Sequence, residues 1–499
     1  MRTRFILIIL ALSHHTLILG QNSKSDSLLI EVEAGTLLFS EKFAPFYLIN
    51  NQYGEVDEDA SVFLKGEVEY QRRLSQSWSI SSGLSFRNER FSTLFFGTKF
   101  KDWEFLAGRV KKTYGGFQSG LSSGSLAMSE NALPVPMLEI SLNEYKSVPF
   151  THGYLKFRGS LSQRWMEKNR YISKALLHGK TFYAMADLDD LIGFQASSGI
   201  VHFAQYGGVS PQGDRQPSSL NDYFSVFMGR GIHNPDGTSA GEGNAIGNHL
   251  GLTEFKVKKR LGTHTLSLNY QKPFEDAGSI QFISFKDFLI GLEWALPKDE
   301  YLVNKFYIEV VTTKWQSGRG LPDATDDIQT EEDNRNNEFG ERDDIYNNYL
   351  YRSGWTYYDQ VIGNPLILTY KRTLNFLEPY PDYGVAIANN RLTALHMGVE
   401  GSLTSKITYK GLFTYSKNFG TYAGLYEGRF NWGGIDNDPN FKYVFLPAKK
   451  QWYTSIEINY KEAFDYEALS LNMRLGNDFG QLYNALGLEM SVLYKLSNY

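Results

Sequence analysis

The chain has 499 residues, no cysteine and a formal net charge of −5, with 50 Lys and Arg against 55 Asp and Glu. The lack of cysteine excludes a disulfide framework and a lipoprotein attachment thiol, and the acidic balance gives no basic footprint for nucleic acid. Aromatic residues are 15% of the chain, a share typical of membrane barrels with aromatic girdles but also of large soluble β-sandwiches and propellers.

The N-terminus has the pattern of a secretory signal peptide. Arg2 and Arg4 precede an apolar run at residues 5–12, and Gly20 before Gln21 suits cleavage. The alternative is a membrane anchor, but the run is less than half of the roughly 20 residues that a spanning helix needs. We predict a signal peptide at residues 1–20 and a single exported domain at residues 21–499.

Alternating polarity then recurs along the chain. In residues 452–460 the even positions are Trp, Thr, Ile, Ile and Tyr, and the odd positions are Tyr, Ser, Glu and Asn. Similar alternation occurs in residues 62–70, 78–86, 264–270, 469–475 and 488–496. Each strand fits a sandwich or a barrel wall, but aromatic ends around an aliphatic middle favour a strand that crosses a bilayer. Because no apolar segment after the N-terminus approaches the length of a spanning helix, a membrane location requires a closed barrel.

We therefore predict an all-β fold, a transmembrane antiparallel outer-membrane β-barrel of about 18 strands. About 18 strands of about 10 residues use roughly 180 residues, so the rest must form long external loops, an internal plug or both. The loop candidates, rich in Gly, Pro, Asn and Asp, are residues 207–221, 231–249, 321–348, 376–391 and 420–449. Residues 321–348 hold ten acidic residues, which fit a solvated loop better than a calcium site because the spaced EF-hand pattern is missing.

Residues 108–140 fit neither a clean strand nor a polar loop. They include Gly120-Leu121-Ser122-Ser123-Gly124, which matches the Gly-x-Ser-x-Gly elbow of a hydrolase. That match is meaningful only on a strand–turn–helix, which the surrounding pattern does not predict. The alternative is that these serines cap or turn a short helical segment before Pro134 and Pro136. The histidines have no metal-ligand spacing, so we predict no metal site and no cofactor.

The same block carries a resemblance. Gly115-Gly116-Phe117-Gln118-Ser119-Gly120, continued to Asn131, resembles the capsule assembly Wzi family of outer-membrane proteins, as do residues 205–208, 316–318, 349–357 and 362–365. The resemblance extends from about residue 28 to the C-terminus. It implies a lectin-like barrel that holds capsular polysaccharide at the Gram-negative cell surface, and a small helical plug on the periplasmic side at about residues 112–150. The plug motif comprises Tyr114, Gly115, Gly116, Ser122, Ser123, Gly124, Ser125 and Asn131.

The resemblance also implies binding partners. We expect extracellular polysaccharide and outer-membrane lipid as partners, no nucleic acid, and a monomer without enzymatic activity. Sugar recognition uses aromatic faces together with amide, carboxylate or guanidinium groups. The loop candidates for it are Trp355, Tyr357, Tyr358, Arg391, Tyr422, Tyr426, Arg429, Trp432, Asp436 and Asp438, although each could instead pack a loop or join a girdle.

Two other functions stay open from the sequence. One is a porin or substrate-specific transporter, which needs an open lumen, and the other is an outer-membrane hydrolase. We expect a closed lumen, because charges of both signs at the inward parity can pair across it above a plug. These charges include Lys65, Glu67, Glu457 and Arg474.

Overall fold

The structure is a computed structural model that describes residues 26–58, 61–115, 119–231, 245–275, 286–297, 301–316, 344–377, 386–421 and 443–498. The first strands are β1 Asp26–Phe39, β2 Val62–Arg73, β3 Trp78–Arg87, β4 Arg90–Phe100, β5 Trp103–Arg109, β6 Met137–Ser147, β7 Leu155–Trp165, β8 Leu176–Leu188 and β9 Phe194–Tyr206. Next come β10 Asn248–Leu261, β11 His264–Phe274, β12 Phe288–Ala295, β13 Lys305–Thr312 and four short strands, β14 Thr356–Tyr357, β15 Gln360–Val361, β16 Leu368–Thr369 and β17 Ile387–Asn389. The last strands are β18 Leu392–Ser402, β19 Ile407–Asn418, β20 Lys449–Tyr460, β21 Leu469–Gly480 and β22 Ala485–Asn498.

Helices are few and short in the described part of the chain. They are α1 Phe46–Ile49, α2 Asp189–Ile192, α3 Leu220–Met228 and α4 Tyr370–Thr373, with a 3₁₀ turn at Ala463–Asp465. None of these helices has the length and apolarity needed to cross a membrane.

Eighteen long strands, β1–β13 and β18–β22, form one closed antiparallel barrel across the described residues. Each strand pairs with the next barrel strand along the chain, and β13 pairs with β18 across the short strands. The barrel closes where β1 meets β22, with Leu28 opposite Asn498 and Gly35 opposite Ser491. The predicted fold class and strand number are confirmed.

The alternation in sequence becomes an outer face and a lumen face. On β20, Ile456 is 54% exposed on the outside, whereas Tyr453 is 1% exposed and points inward. The same outward exposure of apolar side chains recurs at Leu94, Phe96, Phe105, Leu138, Phe182, Ile200, Met490 and Val492. A wall that exposes aliphatic and aromatic side chains on its outside suits a bilayer. A closed barrel also hydrogen-bonds its backbone groups between strands, as lipid requires.

The two rims of the barrel differ. The terminal rim, where β1 begins and β22 ends, carries short connections such as 74–77, 101–102 and 262–263. The opposite loop rim carries the long connections 40–61, 110–136, 207–247, 313–391 and 419–448. Large exposed aromatic residues lie at both ends of the strands, with Trp78, Phe100 and Trp103 near the terminal rim and Phe91, Trp165 and Phe479 near the loop rim.

Three connections from the loop rim fold into the barrel, and we call them the first (40–58), second (110–136) and third (344–369) plug segments. They supply buried core residues including Phe46, Leu126 and Trp355. These pack in one hydrophobic cluster with lumen-facing wall residues, among them Leu177, Val201, Phe203, Leu250 and Leu252. These connections therefore occupy the lumen and pack against the wall through apolar contacts.

The predicted insertion at residues 112–150 needs correction. Its described residues up to 136 form turns and bends without a helix, and Met137–Ser147 is barrel strand β6. The small helix inside the barrel is α1, in the first plug segment, where all four of its residues are buried. Outer-membrane barrels carry their short turns on the periplasmic side, so the second plug segment enters from the opposite side. The polarity pattern could not show this, because the direction of entry depends on contacts with distant strands.

Candidate functional site

A buried carboxylate on the barrel wall holds the second plug segment. Glu309 of β13 accepts a hydrogen bond from Ser122 Oγ at 2.7 Å and another from the Ser123 backbone N at 3.2 Å. Ser123 Oγ and Tyr307 OH also donate to it, the latter at 2.6 Å. Gly124 follows with φ +119, a backbone conformation that residues other than glycine rarely adopt. The segment turns here, and its serines point at the wall.

The Gly-x-Ser-x-Gly match is therefore not a nucleophile elbow. His396 lies opposite Glu309 on β18, which places a histidine near the serines. Its ring nitrogens, however, contact Tyr47 OH at 3.0 Å, Thr414 Oγ1 at 2.7 Å and the Leu121 carbonyl at 2.5 Å. Neither nitrogen is bonded to a serine hydroxyl, and no helix follows the turn within residues 119–136. The geometry supports a structural use of these serines.

The second and third plug segments are tied together by directed hydrogen bonds. Ser129 Oγ donates to the Gly363 carbonyl at 2.6 Å, and Asn131 Nδ2 donates to the Val361 carbonyl at 2.8 Å. In return, Trp355 Nε1 donates to the Ala127 carbonyl at 2.7 Å. Because these groups are buried, each bond that is lost leaves a donor or acceptor without a partner.

The remaining plug motif residues also face wall groups. Tyr114 OH donates to Glu139 Oε2 at 2.7 Å, and Ser125 Oγ accepts from Gln271 Nε2 at 3.3 Å. Gly115 has φ +134, whereas Gly116 lies outside the described residues. Burial raises the pKa of the Tyr114 hydroxyl, so it acts here as a neutral donor.

Most of the predicted sugar-binding residues that are described are not available to a ligand. Trp355, Tyr357 and Arg391 are buried, the last with its Nε donating to the Lys314 carbonyl at 3.0 Å. Their assignment to a sugar surface is corrected, because the third plug segment carries Trp355 and Tyr357 inward and Arg391 packs against Lys314 at the rim. Tyr358 is 54% exposed and remains a candidate. Tyr422, Tyr426, Arg429, Trp432, Asp436 and Asp438 lie outside the described residues.

Polar cavities remain inside the barrel beside the plug. One of about 210 Å³ is lined by amide and hydroxyl side chains such as Asn50, Gln52 and Ser119. A second of about 400 Å³ adjoins it, sharing Tyr114 and Glu130 among its lining residues. Burial raises the pKa of the Glu130 carboxyl, although Tyr53 and Lys410 oppose the rise.

The charges predicted to line the lumen are paired. Lys65 lies 3.4 Å from Glu55, Glu67 lies 3.3 Å from Lys111, Glu457 lies 3.3 Å from Lys410, and Arg474 lies 2.6 Å from Glu489. Burial opposes ionisation of Glu55, yet Lys65 and Lys111 hold its pKa below the ordinary value. No group of three or more metal-binding side chains occurs among the residues that the structure describes.

A set of lysine and aromatic side chains at the loop rim escaped the sequence analysis. Lys286 Nζ lies 4.2 Å from the Trp315 ring centroid, and Lys314 Nζ lies 4.9 Å from it. Lys314 Nζ and Lys417 Nζ lie 4.7 and 5.2 Å from the Phe419 ring centroid. We call these five residues the cation–aromatic cluster. The sequence signal was Lys314-Trp315 just beyond β13 and Lys417-x-Phe419 at the end of β19.

A closed barrel with an apolar outside, aromatic residues near both rims and a lumen filled by its own connections defines an outer-membrane β-barrel protein with an internal plug. The loop rim then faces the cell exterior, because short turns face the periplasm in such barrels. The chain belongs to the capsule assembly protein Wzi family, whose model matches residues 31–366.

Solved structures with this fold include Wzi of Escherichia coli, described as an outer membrane protein involved in group 1 capsule assembly and a carbohydrate-binding β-barrel. The match has 13% sequence identity and a TM-score of 0.56, and it covers 93% of this chain and 83% of Wzi. OccK10 (OpdN) of Pseudomonas aeruginosa matches at 10% identity with a TM-score of 0.46, covering 95% of this chain and 100% of its own. No curated protein sequence matches the chain.

Proposed function

We propose that this protein binds capsular or other extracellular polysaccharide at the loop rim and holds it at the cell surface during capsule assembly. Membership of the capsule assembly family carries the proposal. The fold it shares with Wzi, which is described as a carbohydrate-binding barrel, supports it. The filled lumen supports a surface role for the rim, because the plug occupies the space through which a transported solute would pass.

The cation–aromatic cluster has the chemistry that such binding needs. Aromatic faces stack on sugar rings, and lysine donates hydrogen bonds to hydroxyl and carboxylate oxygens. Trp315 and Phe419 are partly exposed at the rim with three lysines around them. Tyr358 offers a further exposed ring.

Binding is tested with the folded protein in lipid nanodiscs against polysaccharide purified from the same cells. Trp315→Ala should weaken binding at least tenfold, whereas Trp165→Ala removes an exposed tryptophan outside the cluster and should leave binding unchanged. In cells, deletion of the gene should leave polysaccharide synthesis intact and release more polymer into the medium. Normal surface retention after deletion would reject the proposed function.

We also infer that the protein is not an enzyme. The motif serines Ser122 and Ser123 are held by Glu309, which supports a structural role. Incubation of the purified protein with the polysaccharide should produce no new reducing ends. Loss of a measured cleavage activity in Ser122→Ala would support the hydrolase alternative instead.

Three further inferences concern the mature form. We infer removal of residues 1–20 on export, leaving residues 21–499 as one barrel domain in contact with outer-membrane lipid. N-terminal sequencing of protein from the outer-membrane fraction tests the cleavage site.

We also infer a monomer, since the closed barrel needs no strand from a second chain. Native mass spectrometry from detergent micelles measures the number of chains.

A further inference from the structure

A group of polar side chains projects from the outside of the barrel wall. Phe182 of β8 lies opposite Ile200 of β9, and both are exposed on the outer face. Towards the loop rim on the same face, the next pair is Lys180 opposite His202. The pair after that is His178 opposite Ala204. His249 of β10 also lies opposite Ala204. We call His178, Lys180, His202 and His249 the outer polar patch.

Polar and charged side chains are unfavourable on a wall face that meets lipid. The three histidines of the patch point away from the lumen, yet they are buried and do not meet lipid. His202 Nε2 and His249 Nδ1 lie 2.9 Å apart, in hydrogen-bond contact. Something outside the barrel must therefore cover them.

For His178 and Lys180 the covering element is α3, which lies against the outside of the wall, whereas the His202 ring stacks on Phe274 of β11. The His178 ring packs on Tyr223 and Phe227, with ring centroids 5.2 and 5.5 Å apart. Lys180 Nζ lies 4.0 Å from the Phe227 ring centroid and donates to the Phe227 carbonyl. This places a cation at the C-terminal end of the helix, where free carbonyl groups favour positive charge.

The sequence of α3 fixes its ends and divides it into two faces. Ser219 and Asp222 form a capping box, with bonds of 3.2 and 2.8 Å, and Gly229 ends the helix with φ +63. The inner face carries Tyr223, Val226 and Phe227. The outer face carries a stripe at every fourth position, with Leu220 74%, Phe224 58% and Met228 57% exposed.

We propose that α3 is a membrane-embedded external helix whose stripe of Leu220, Phe224 and Met228 contacts lipid acyl chains in the leaflet at the loop rim. The stripe continues the apolar outer face of the wall, because the patch that α3 covers is directly followed on that face by exposed Phe182 and Ile200. Its length of nine residues suits a helix that lies in the interface and does not span it.

The helix thereby acts as a lipid-facing cover. Its inner aromatic residues shield His178 and Lys180 of the outer polar patch. Its outer stripe restores the apolar surface that these side chains interrupt. The occupant of the stripe is lipid and not a second protein chain, because lipid already surrounds the wall on the same face. This inference concerns the membrane contact and does not depend on polysaccharide binding.

The chain has no cysteine, so single-cysteine variants give unique labelling sites. Phe224→Cys carries a nitroxide label in protein reconstituted into lipid vesicles, and collision with oxygen and with a water-soluble nickel chelate is measured. Ile200→Cys on the wall is the lipid-facing control. Gln212→Cys, exposed in the same connection before α3, is the control at the rim. Leu220→Cys and Met228→Cys repeat the test if Phe224→Cys folds poorly.

We expect the Phe224→Cys label to match Ile200→Cys, with oxygen collisions at least threefold more effective than nickel collisions. A label that matches Gln212→Cys would place the stripe in water and overturn the proposal. Protection from both reagents would show that protein covers the stripe, and would equally overturn it.

Discussion

Replacing Glu309 by alanine should release the second plug segment from the barrel wall. Two hydroxyls and one amide of the plug would lose their shared acceptor. Hydrogen bonds to a charged acceptor contribute about 1.5–3 kcal/mol each. The hydroxyls can turn towards other acceptors, and removal of a buried carboxylate recovers its desolvation cost. We therefore expect unfolding free energy to fall by about 2–4 kcal/mol, the value of one to two such bonds.

The matched control is Glu457→Ala. Glu457 is also a lumen-facing glutamate, but its ion pair with Lys410 at 3.3 Å joins two wall strands, and about a third of each side chain is exposed. Such a pair contributes about 0–1 kcal/mol. Equilibrium urea unfolding in lipid vesicles, followed by the gel shift between folded and unfolded barrel, compares the two variants. Equal losses, or no loss in Glu309→Ala, would refute the role assigned to Glu309.

Three other predictions follow from the filled lumen. In planar bilayers the intact protein should show no large stable conductance steps, and deletion of residues 116–136 should produce them; large steps from the intact protein would favour the transporter alternative. Gly363→Ala should destabilise the plug and lower the unfolding midpoint, because an added Cβ would lie 1.9 Å from Tyr346 Oη; an unchanged midpoint would contradict this. The pKa of Glu55 is lowered on folding, so its stabilisation by Lys111 is present above the ordinary value of 4.5 and is lost as pH falls through the lowered value. In Glu55→Gln the unfolding free energy should therefore fall less steeply as the pH is lowered below 4.5. An unchanged pH dependence would contradict the role given to Glu55.

The barrel wall could be predicted from the sequence because its signal is local. A strand between lipid and lumen alternates at every second residue, so Ile456 and Tyr453 reveal their sides without knowledge of any partner strand. Counting such segments narrowed the strand number to roughly 16–20, and bacterial single-chain barrels have even strand numbers. The insertion predicted at residues 112–150 was located by its small residues and prolines, which do not fit a regular strand, but its end ran into β6.

The orientation of the long connections could not be predicted in the same way. Trp355 and Arg391 have the composition of a sugar-binding surface, yet both are buried. Trp355 is buried because the third plug segment turns inward to meet the second, and Arg391 packs at the rim, where its Nε donates to the Lys314 carbonyl. Contacts between residues far apart in the sequence decide both positions. The external position of α3 was missed as well, although His178 and Lys180 at the outward parity of a strand were a usable signal.

The plug also supports the surface proposed to bind polysaccharide. Gln316 accepts a hydrogen bond from the Ile345 backbone N at 2.7 Å and donates to the Asn390 carbonyl at 3.0 Å. Arg391 fixes the carbonyl of Lys314, which belongs to the cation–aromatic cluster. Lys314 and Trp315 of the cluster are thus held through Arg391 and through Gln316, which the third plug segment contacts at Ile345. A rigid surface loses less conformational entropy when it binds a flexible polymer. Loosening the plug should therefore weaken polysaccharide binding and also open the lumen to ion conductance, whereas Trp315→Ala should weaken binding alone.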